Sequence, residues 1–158
     1  MSEHAEVEGL DDEAVGRWLQ ERAGVTPPLE VARVGLGQSN LTFLVTDATG
    51  ERVVLRRPPL GELLASAHDV AREHRILSAL QGTDVPVPVV HGLCEDPAVA
   101  DVPVLAVSFV DGAVLDDRSD AELLSPQARH RVGLSLVETL VSIHEVDLEA
   151  VGLADLAS

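Results

Sequence analysis

Hydrophobic and polar positions along this chain follow two periods, and the switches between them divide it into elements. From Asp12 to Ala23, Val15, Trp18 and Leu19 recur at helical spacing, with Arg22 on the same face. Asp11 or Asp12 caps this helix, acidic residues in its first turn suit the dipole, and Gly24 with Pro27-Pro28 ends it. Three short apolar runs follow, Leu29–Gly35, Leu41–Thr46 and Arg52–Arg57, and each reads as a strand. Residues 35–40 join the first two, and Asp47-Ala48-Thr49-Gly50 makes a hairpin turn between the second and third. Consecutive strands with such short links predict an antiparallel meander.

Pro58-Pro59 and Gly61 interrupt this pattern. Leu63 to Leu80 returns to helical spacing, with Val70, Ile76, Leu77 and Leu80 as its core positions, and Gly82 stops it. Val85-Pro86-Val87-Pro88 is an extended connector, because alternate prolines exclude a helix. Val89–Leu93 reads as a fourth strand, Cys94–Asp101 as a polar loop and Val102–Val110 as a long apolar strand, after which Asp111-Gly112 turns the chain. Ser125-Pro126 starts a helix, with Ser as N-cap and Pro in the first turn. It runs to about His144 with Val132, Leu136, Leu140 and Ile143 as its apolar stripe. Asp116, Asp117 and Asp120 read as a solvated acidic loop, and residues 1–10 as a disordered acidic arm.

Composition narrows the function classes. Aromatics are 2% of the 158 residues, so Val, Leu and Ala do the packing and a mixed α and β fold follows. The formal net charge is −16, and every one of the 11 Lys+Arg residues is Arg. So acidic a surface repels nucleic-acid phosphates and anionic membranes, and suits a salt-rich cytoplasm or a cationic substrate. Cys94 is the single cysteine, read as a buried small hydrophobe, which excludes an internal disulfide and fits a reducing compartment. The N-terminal residues lack the basic and apolar regions of a signal peptide, and no apolar run is long enough to span a bilayer. A cytoplasmic protein is expected.

Candidate chemistry begins at Gly35-Leu36-Gly37-Gln38-Ser39-Asn40. A dinucleotide fingerprint needs a third glycine where Asn40 stands, and a helix where Leu41–Val45 alternates like a strand. On its own this loop reads as a plain tight turn with polar tip residues; the alternative is a glycine hairpin over phosphates, in which backbone N–H groups approach closely and Gln38, Ser39 and Asn40 add side-chain donors. The third strand ends in Arg56-Arg57, and a cation there can reach phosphates if a carboxylate orients it. Glu73 on the next helix is the natural partner. Strand alternation puts Arg56 and Arg57 on opposite faces, and parity does not choose between them.

Taken together, Gly35-Leu36-Gly37-Gln38-Ser39-Asn40-Leu41-Thr42, Val54 through Gly61, Ala67 through Glu73, Val85-Pro86-Val87-Pro88 and Phe109-Val110-Asp111-Gly112 resemble the aminoglycoside-phosphotransferase and choline-kinase-like family. The branch most resembled includes the kinase-like domain fused to some acyl-CoA dehydrogenases. The likeness covers roughly residues 30–150. It implies an α+β fold, a protein-kinase-like N-lobe with a five-stranded antiparallel sheet and flanking helices over residues 11–110. Residues 111–158 would be the hinge and the first helix of a truncated C-lobe.

The resemblance implies transfer of the γ-phosphoryl of ATP or GTP, with Mg²⁺, to a hydroxyl of a small molecule. Gly35, Gly37, Gln38, Ser39 and Asn40 would cover the phosphates. Arg56 would take the place of the usual strand-three Lys and pair with Glu73. The backbone of Ser108 and Val110 would meet the nucleobase. The family's His-Gly-Asp-x-x-x-x-Asn loop and later Asp, which supply the catalytic aspartate and the Mg²⁺ ligands, have no match here: His91-Gly92-Leu93 lacks the Asp, and His144-Glu145-Val146-Asp147 lacks the Gly. The fragment alone is therefore expected to be inactive, with the missing C-lobe as its intramolecular partner. The alternatives are a non-catalytic nucleotide- or partner-binding module and, more weakly, a piece of a dinucleotide-binding oxidoreductase.

Overall fold

The computed structural model describes residues 12–35, 40–59, 70–115 and 117–157. The acidic arm at 1–10, the loop tip at 36–39, residues 63–69 of the expected second helix, and Asp116 lie outside the described residues. Helix α1 (Asp12–Ala23) is followed by strands β1 (Glu30–Val34), β2 (Leu41–Thr46) and β3 (Arg52–Arg57), then α2 (Val70–Leu80), β4 (Val90–Cys94) and β5 (Val104–Ser108). Helices α3 (Arg118–Glu122) and α4 (Pro126–His144) and a 3-10 turn at Ala154–Ala157 complete the chain. The described residues fall into two compact units, one within 1–78 and 88–109, the other within 79–87 and 110–158.

In the first unit the strands form one antiparallel sheet in the order β1-β2-β3-β5-β4. The expected meander of β1, β2 and β3 is present. The long fifth strand is shorter than its apolar run and sits between β3 and β4, buried at Val104, Leu105, Ala106 and Val107. Strands buried on both faces need no polar alternation, which is why this one reads as a continuous apolar run.

The pleat then sorts side chains to two faces. On one face, Phe43, Val45, Val53, Leu55, Val104 and Ala106 pack with Val15 and Leu19 of α1. Leu19 is 0% exposed, and truncating so buried a leucine to alanine costs about 2–5 kcal/mol. Cys94 lies in the same cluster as a buried thiol. On the other face, Leu105 and Val107 pack with Val70 of α2, flanked by Val54, Leu77, Val90 and Leu93. Of the expected α2 core positions, Val70 is buried and Ile76, Leu77 and Leu80 are half-buried.

The β2–β3 turn forms where Asp47-Ala48-Thr49-Gly50 predicts it. Gly50 has φ 90, a conformation open to glycine, and its N–H donates to the Asp47 carbonyl at 3.1 Å. The Asp47 carboxylate accepts from the Thr26 N–H at 2.8 Å, the Thr49 N–H and hydroxyl at 2.7 Å each, and the Glu51 N–H at 2.9 Å. It thus ties the turn to the segment between α1 and β1. The Thr26 N–H, followed by the Thr49 hydroxyl, holds its pKa down to about 2.

In the second unit α3 replaces the expected acidic loop. Asp117 is its N-cap, accepting from Ser119 N at 2.7 Å and Asp120 N at 3.1 Å, while Asp120 accepts from Asp117 N at 3.2 Å. Hydrogen bonds from the Ser119 hydroxyl and then the Asp120 and Ser119 N–H groups lower the Asp117 pKa. The carboxylates therefore satisfy helix-end donors. Helix α4 starts as read, with Ser125 Oγ accepting from Ala128 N at 3.2 Å and Pro126 in the first turn. None of its residues is buried, and Val132, Leu136, Val137, Leu140 and Ile143 are all exposed.

Two expectations arise from this packing. A carboxyl whose pKa falls on folding stabilises the folded chain above its unfolded pKa, 3.8 for Asp47, and loses that contribution as pH falls through about 2. Asp47→Ala should lower the thermal midpoint by several degrees at neutral pH and remove this part of the acid-induced loss, as read by circular dichroism melts across pH. For α4, Leu136→Glu with Leu140→Glu should leave the midpoint nearly unchanged, since exposed substitutions shift stability by about 0.5 kcal/mol or less each. The same double variant should reduce self-association in static light scattering, because it breaks an apolar patch.

Candidate functional site

β3 carries two adjacent cations, and its pairing decides which faces which helix. Arg56 stands opposite Thr42 on β2 and Leu105 on β5, so it shares the α2 face. Its Nη1 donates to Glu73 Oε1 on α2 at 2.5 Å. Glu73 occupies the first turn of α2 as described. Arg57 points the other way, is 2% exposed, and places its guanidinium carbon 5.8 Å from the Phe43 ring centroid. A cation over an aromatic face is attracted by the ring quadrupole, which helps a buried guanidinium to be tolerated. The choice that parity left open is thus settled for the ion pair: Arg56 meets Glu73, and Arg57 belongs to the α1 face.

Around Arg56 the α2 face has a covered half and an open half. The row Ala32–Leu44–Val54–Val107–Val90 crosses all five strands. Helix α2 packs on its β3, β5 and β4 members. Towards β1, Ala32 is exposed, Leu44 is half-buried and Val34 is 50% exposed. An apolar sheet surface beside a fixed cation suits a ligand with a flat ring and an anionic tail.

Among the buried polar atoms at this end of the sheet that have no hydrogen-bond partner are Arg56 Nε and Asn40 Oδ1. Buried polar atoms are normally satisfied, so such orphans mark a place for a water or a ligand. Arg56 uses one arm of its fork on Glu73 and keeps Nε for an acceptor. The residues present therefore fit a phosphate group.

The other sequence candidates are placed as follows. Gly35 follows β1 with φ 79, and a Cβ there would meet nothing within 4 Å, so backbone conformation and not space requires glycine. Gly37, Gln38 and Ser39 lie outside the described residues. Ser108 is the last residue of β5. Its N–H donates to the Val89 carbonyl at 2.8 Å, and its hydroxyl accepts from the Val89 N–H at 3.0 Å. Only its carbonyl is left, among its backbone groups, for a base. Val110 belongs to the second unit and is 66% exposed.

His91-Gly92-Leu93 is paired in β4, with a register shift between Val90 and Gly92, and burial pushes the His91 imidazole below its ordinary pKa. His144 ends α4 and is exposed. No group of three His, Cys, Asp or Glu among the described residues could hold a metal ion. No helix among them is long and apolar enough to cross a membrane.

Sequence reasoning missed one contact here. The Arg52 guanidinium lies 4.0 Å from the Phe109 ring centroid, and the Phe109 N–H donates to the Arg52 carbonyl at 3.3 Å. This pair ties the start of β3 to the end of β5. The two residues are far apart in sequence and carry no local signal of their pairing.

Known proteins are similar to this chain in sequence and in fold. The probable acyl-CoA dehydrogenase IBR3 of Arabidopsis thaliana is 36% identical over 152 residues, covering 91% of this chain and 18% of that protein. Acyl-CoA dehydrogenase family member 10 of Mus musculus is 36% identical over 146 residues, covering 91% of this chain and 14% of its own length. The crystal structure of a protein assigned as an aminoglycoside phosphotransferase from Ralstonia eutropha superposes with a TM-score of 0.76 at 35% identity, over 92% of this chain and 41% of that one. The chain thus spans less than a fifth of these two dehydrogenase-named relatives and under half of the solved structure. The phosphotransferase enzyme family profile matches residues 30–158. With its five-stranded sheet, the helix carboxylate on Arg56 and this match over most of its length, the chain belongs to the phosphotransferase enzyme family and has the fold of a kinase-like N-lobe.

Proposed function

We propose that this chain is the nucleotide-binding part of an ATP-dependent kinase that phosphorylates a hydroxyl group of a small molecule. The observation that carries the reading is Arg56, held by Glu73 with its buried Nε unused, beside the open apolar half of the sheet. Glu73 fixes the guanidinium against the sheet, so its charge is oriented before the ligand arrives. Arg56 then donates to the phosphate chain, and the segment from Gly35 to Asn40 covers it from above. Ala32, Val34 and Leu44 supply apolar surface for the base, and the Ser108 carbonyl accepts from the base edge.

Mg²⁺, when bound with the nucleotide, neutralises phosphate charge; its ligands and the aspartate that orients the acceptor hydroxyl belong to sequence that these 158 residues do not contain. The residues by themselves bind the nucleotide without transferring its phosphoryl group. A cytoplasmic location agrees with the single buried Cys94 and with the need for ATP.

Arginine is not a simple substitute for lysine at this position. Its planar fork reaches Glu73 and a phosphate in two separate directions, whereas an ammonium is a point charge. Calorimetric titration with Mg-ATP should detect binding that Arg56→Ala weakens by roughly tenfold or more, since a charged hydrogen bond contributes about 1.5–3 kcal/mol. Equal affinity in the variant, or no binding by a chain that is folded by circular dichroism, would overturn the reading.

A further inference from the structure

We infer that Arg52 and Phe109 are positioning residues for the nucleobase: together they lock the peptide group whose carbonyl, that of Ser108, accepts from the exocyclic amino group of adenine. The inference rests on the nucleotide reading above and adds to it two side chains on which the base-contacting backbone depends. All the groups concerned belong to the first unit. The Ser108 carbonyl and the Phe109 N–H are the two ends of one peptide group. That group is planar and trans, so they point in opposite directions and neither can turn without the other. The Phe109 N–H donates to the Arg52 carbonyl at 3.3 Å, which fixes the plane of the peptide and with it the direction of the Ser108 carbonyl.

That bond lies one step beyond the last pair of the β3–β5 ladder, Val53 with Ser108, where strand ends open easily. The Arg52 side chain holds it shut, with the guanidinium carbon 4.0 Å from the Phe109 ring centroid. Residue 52 thus grips residue 109 twice, by its carbonyl and by its cation. The fixed carbonyl is also kept unoccupied. The Ser108 N–H donates to the Val89 carbonyl at 2.8 Å, and in a regular antiparallel pair the Val89 N–H would return to the Ser108 carbonyl. It goes to the Ser108 hydroxyl at 3.0 Å. The peptide therefore presents an acceptor, while its own N–H is spent on Arg52. An acceptor without a donor suits the 6-amino group of adenine and not the 6-oxo group of guanine.

The test titrates this chain with Mg-ATP, with the Mg complex of purine riboside triphosphate, which lacks the amino group, and with inorganic tripolyphosphate. The wild type should bind ATP more tightly than purine riboside triphosphate. Arg52→Ala should shrink that preference by about fivefold and leave tripolyphosphate affinity unchanged. Arg52→Lys keeps a cation over the ring and should restore most of the preference. Phe109→Leu should act like Arg52→Ala, and the double variant should lose no more than either single one, because the two side chains act as a unit. A stack that served only the fold would lower the thermal midpoint and weaken all three probes together.

An unchanged preference in Arg52→Ala, or a loss of tripolyphosphate affinity equal to that of ATP, overturns the positioning role and leaves the nucleotide reading standing. A wild type that binds the two triphosphates equally does the same. A folded wild type that binds neither triphosphate overturns the nucleotide reading, and this inference with it.

Discussion

The two-residue period of strand β3 is the constraint on which the site depends. Because successive side chains leave a strand on opposite faces, two adjacent arginines cannot share a partner. One is sent to α2 and the other to α1. Arg56 is left half-exposed with Glu73 as its counter-ion, and Arg57 is enclosed against Phe43. A shift of β3 by one residue against its neighbours would exchange them and would also turn Val53 and Leu55 out of the α1 core. The apolar packing therefore fixes which cation is available for chemistry.

The turn at Asp47 protects that register. Its carboxylate gathers donors from its own hairpin and from Thr26, so β2 and β3 cannot slide without losing several hydrogen bonds to a charged acceptor at once. At the same end of β3, Arg52 stacks on Phe109 and its carbonyl accepts from the Phe109 N–H, holding β5 in line. The strand is thus pinned at its start and packed along its middle, and it delivers Arg56 near its end. The ion pair is part-buried and makes one hydrogen bond. Its effect is to orient a guanidinium.

The distribution of apolar surface has the same logic. Among the described residues, helix α2 packs on the β3, β5 and β4 part of its face, and on β1 beside it Ala32 and Val34 are exposed. In the second unit, α4 carries a further exposed apolar surface, with Leu136 70% exposed. The matched structure is more than twice as long as the region it shares with this chain.

The sequence by itself determined the local elements. Period, caps and turn chemistry act over a few residues, so α1, the first three strands, the Asp47 hairpin and the Ser125-Pro126 start of α4 were legible without coordinates. The family likeness was legible too, because several short motifs stood in order at fitting spacings. α3 was not read, although Asp117 and Asp120 hold the capping-box spacing; the acidic cluster masked that signal. Tertiary structure alone decided the rest. The insertion of β5 between β3 and β4, the pairing of Arg52 with Phe109 and the burial of Arg57 all depend on residues distant in sequence, whereas the pairing of Arg56 with Glu73 was already implied by the family likeness. Periodicity places a side chain on a face, but only the packing of elements against each other determines what that face meets.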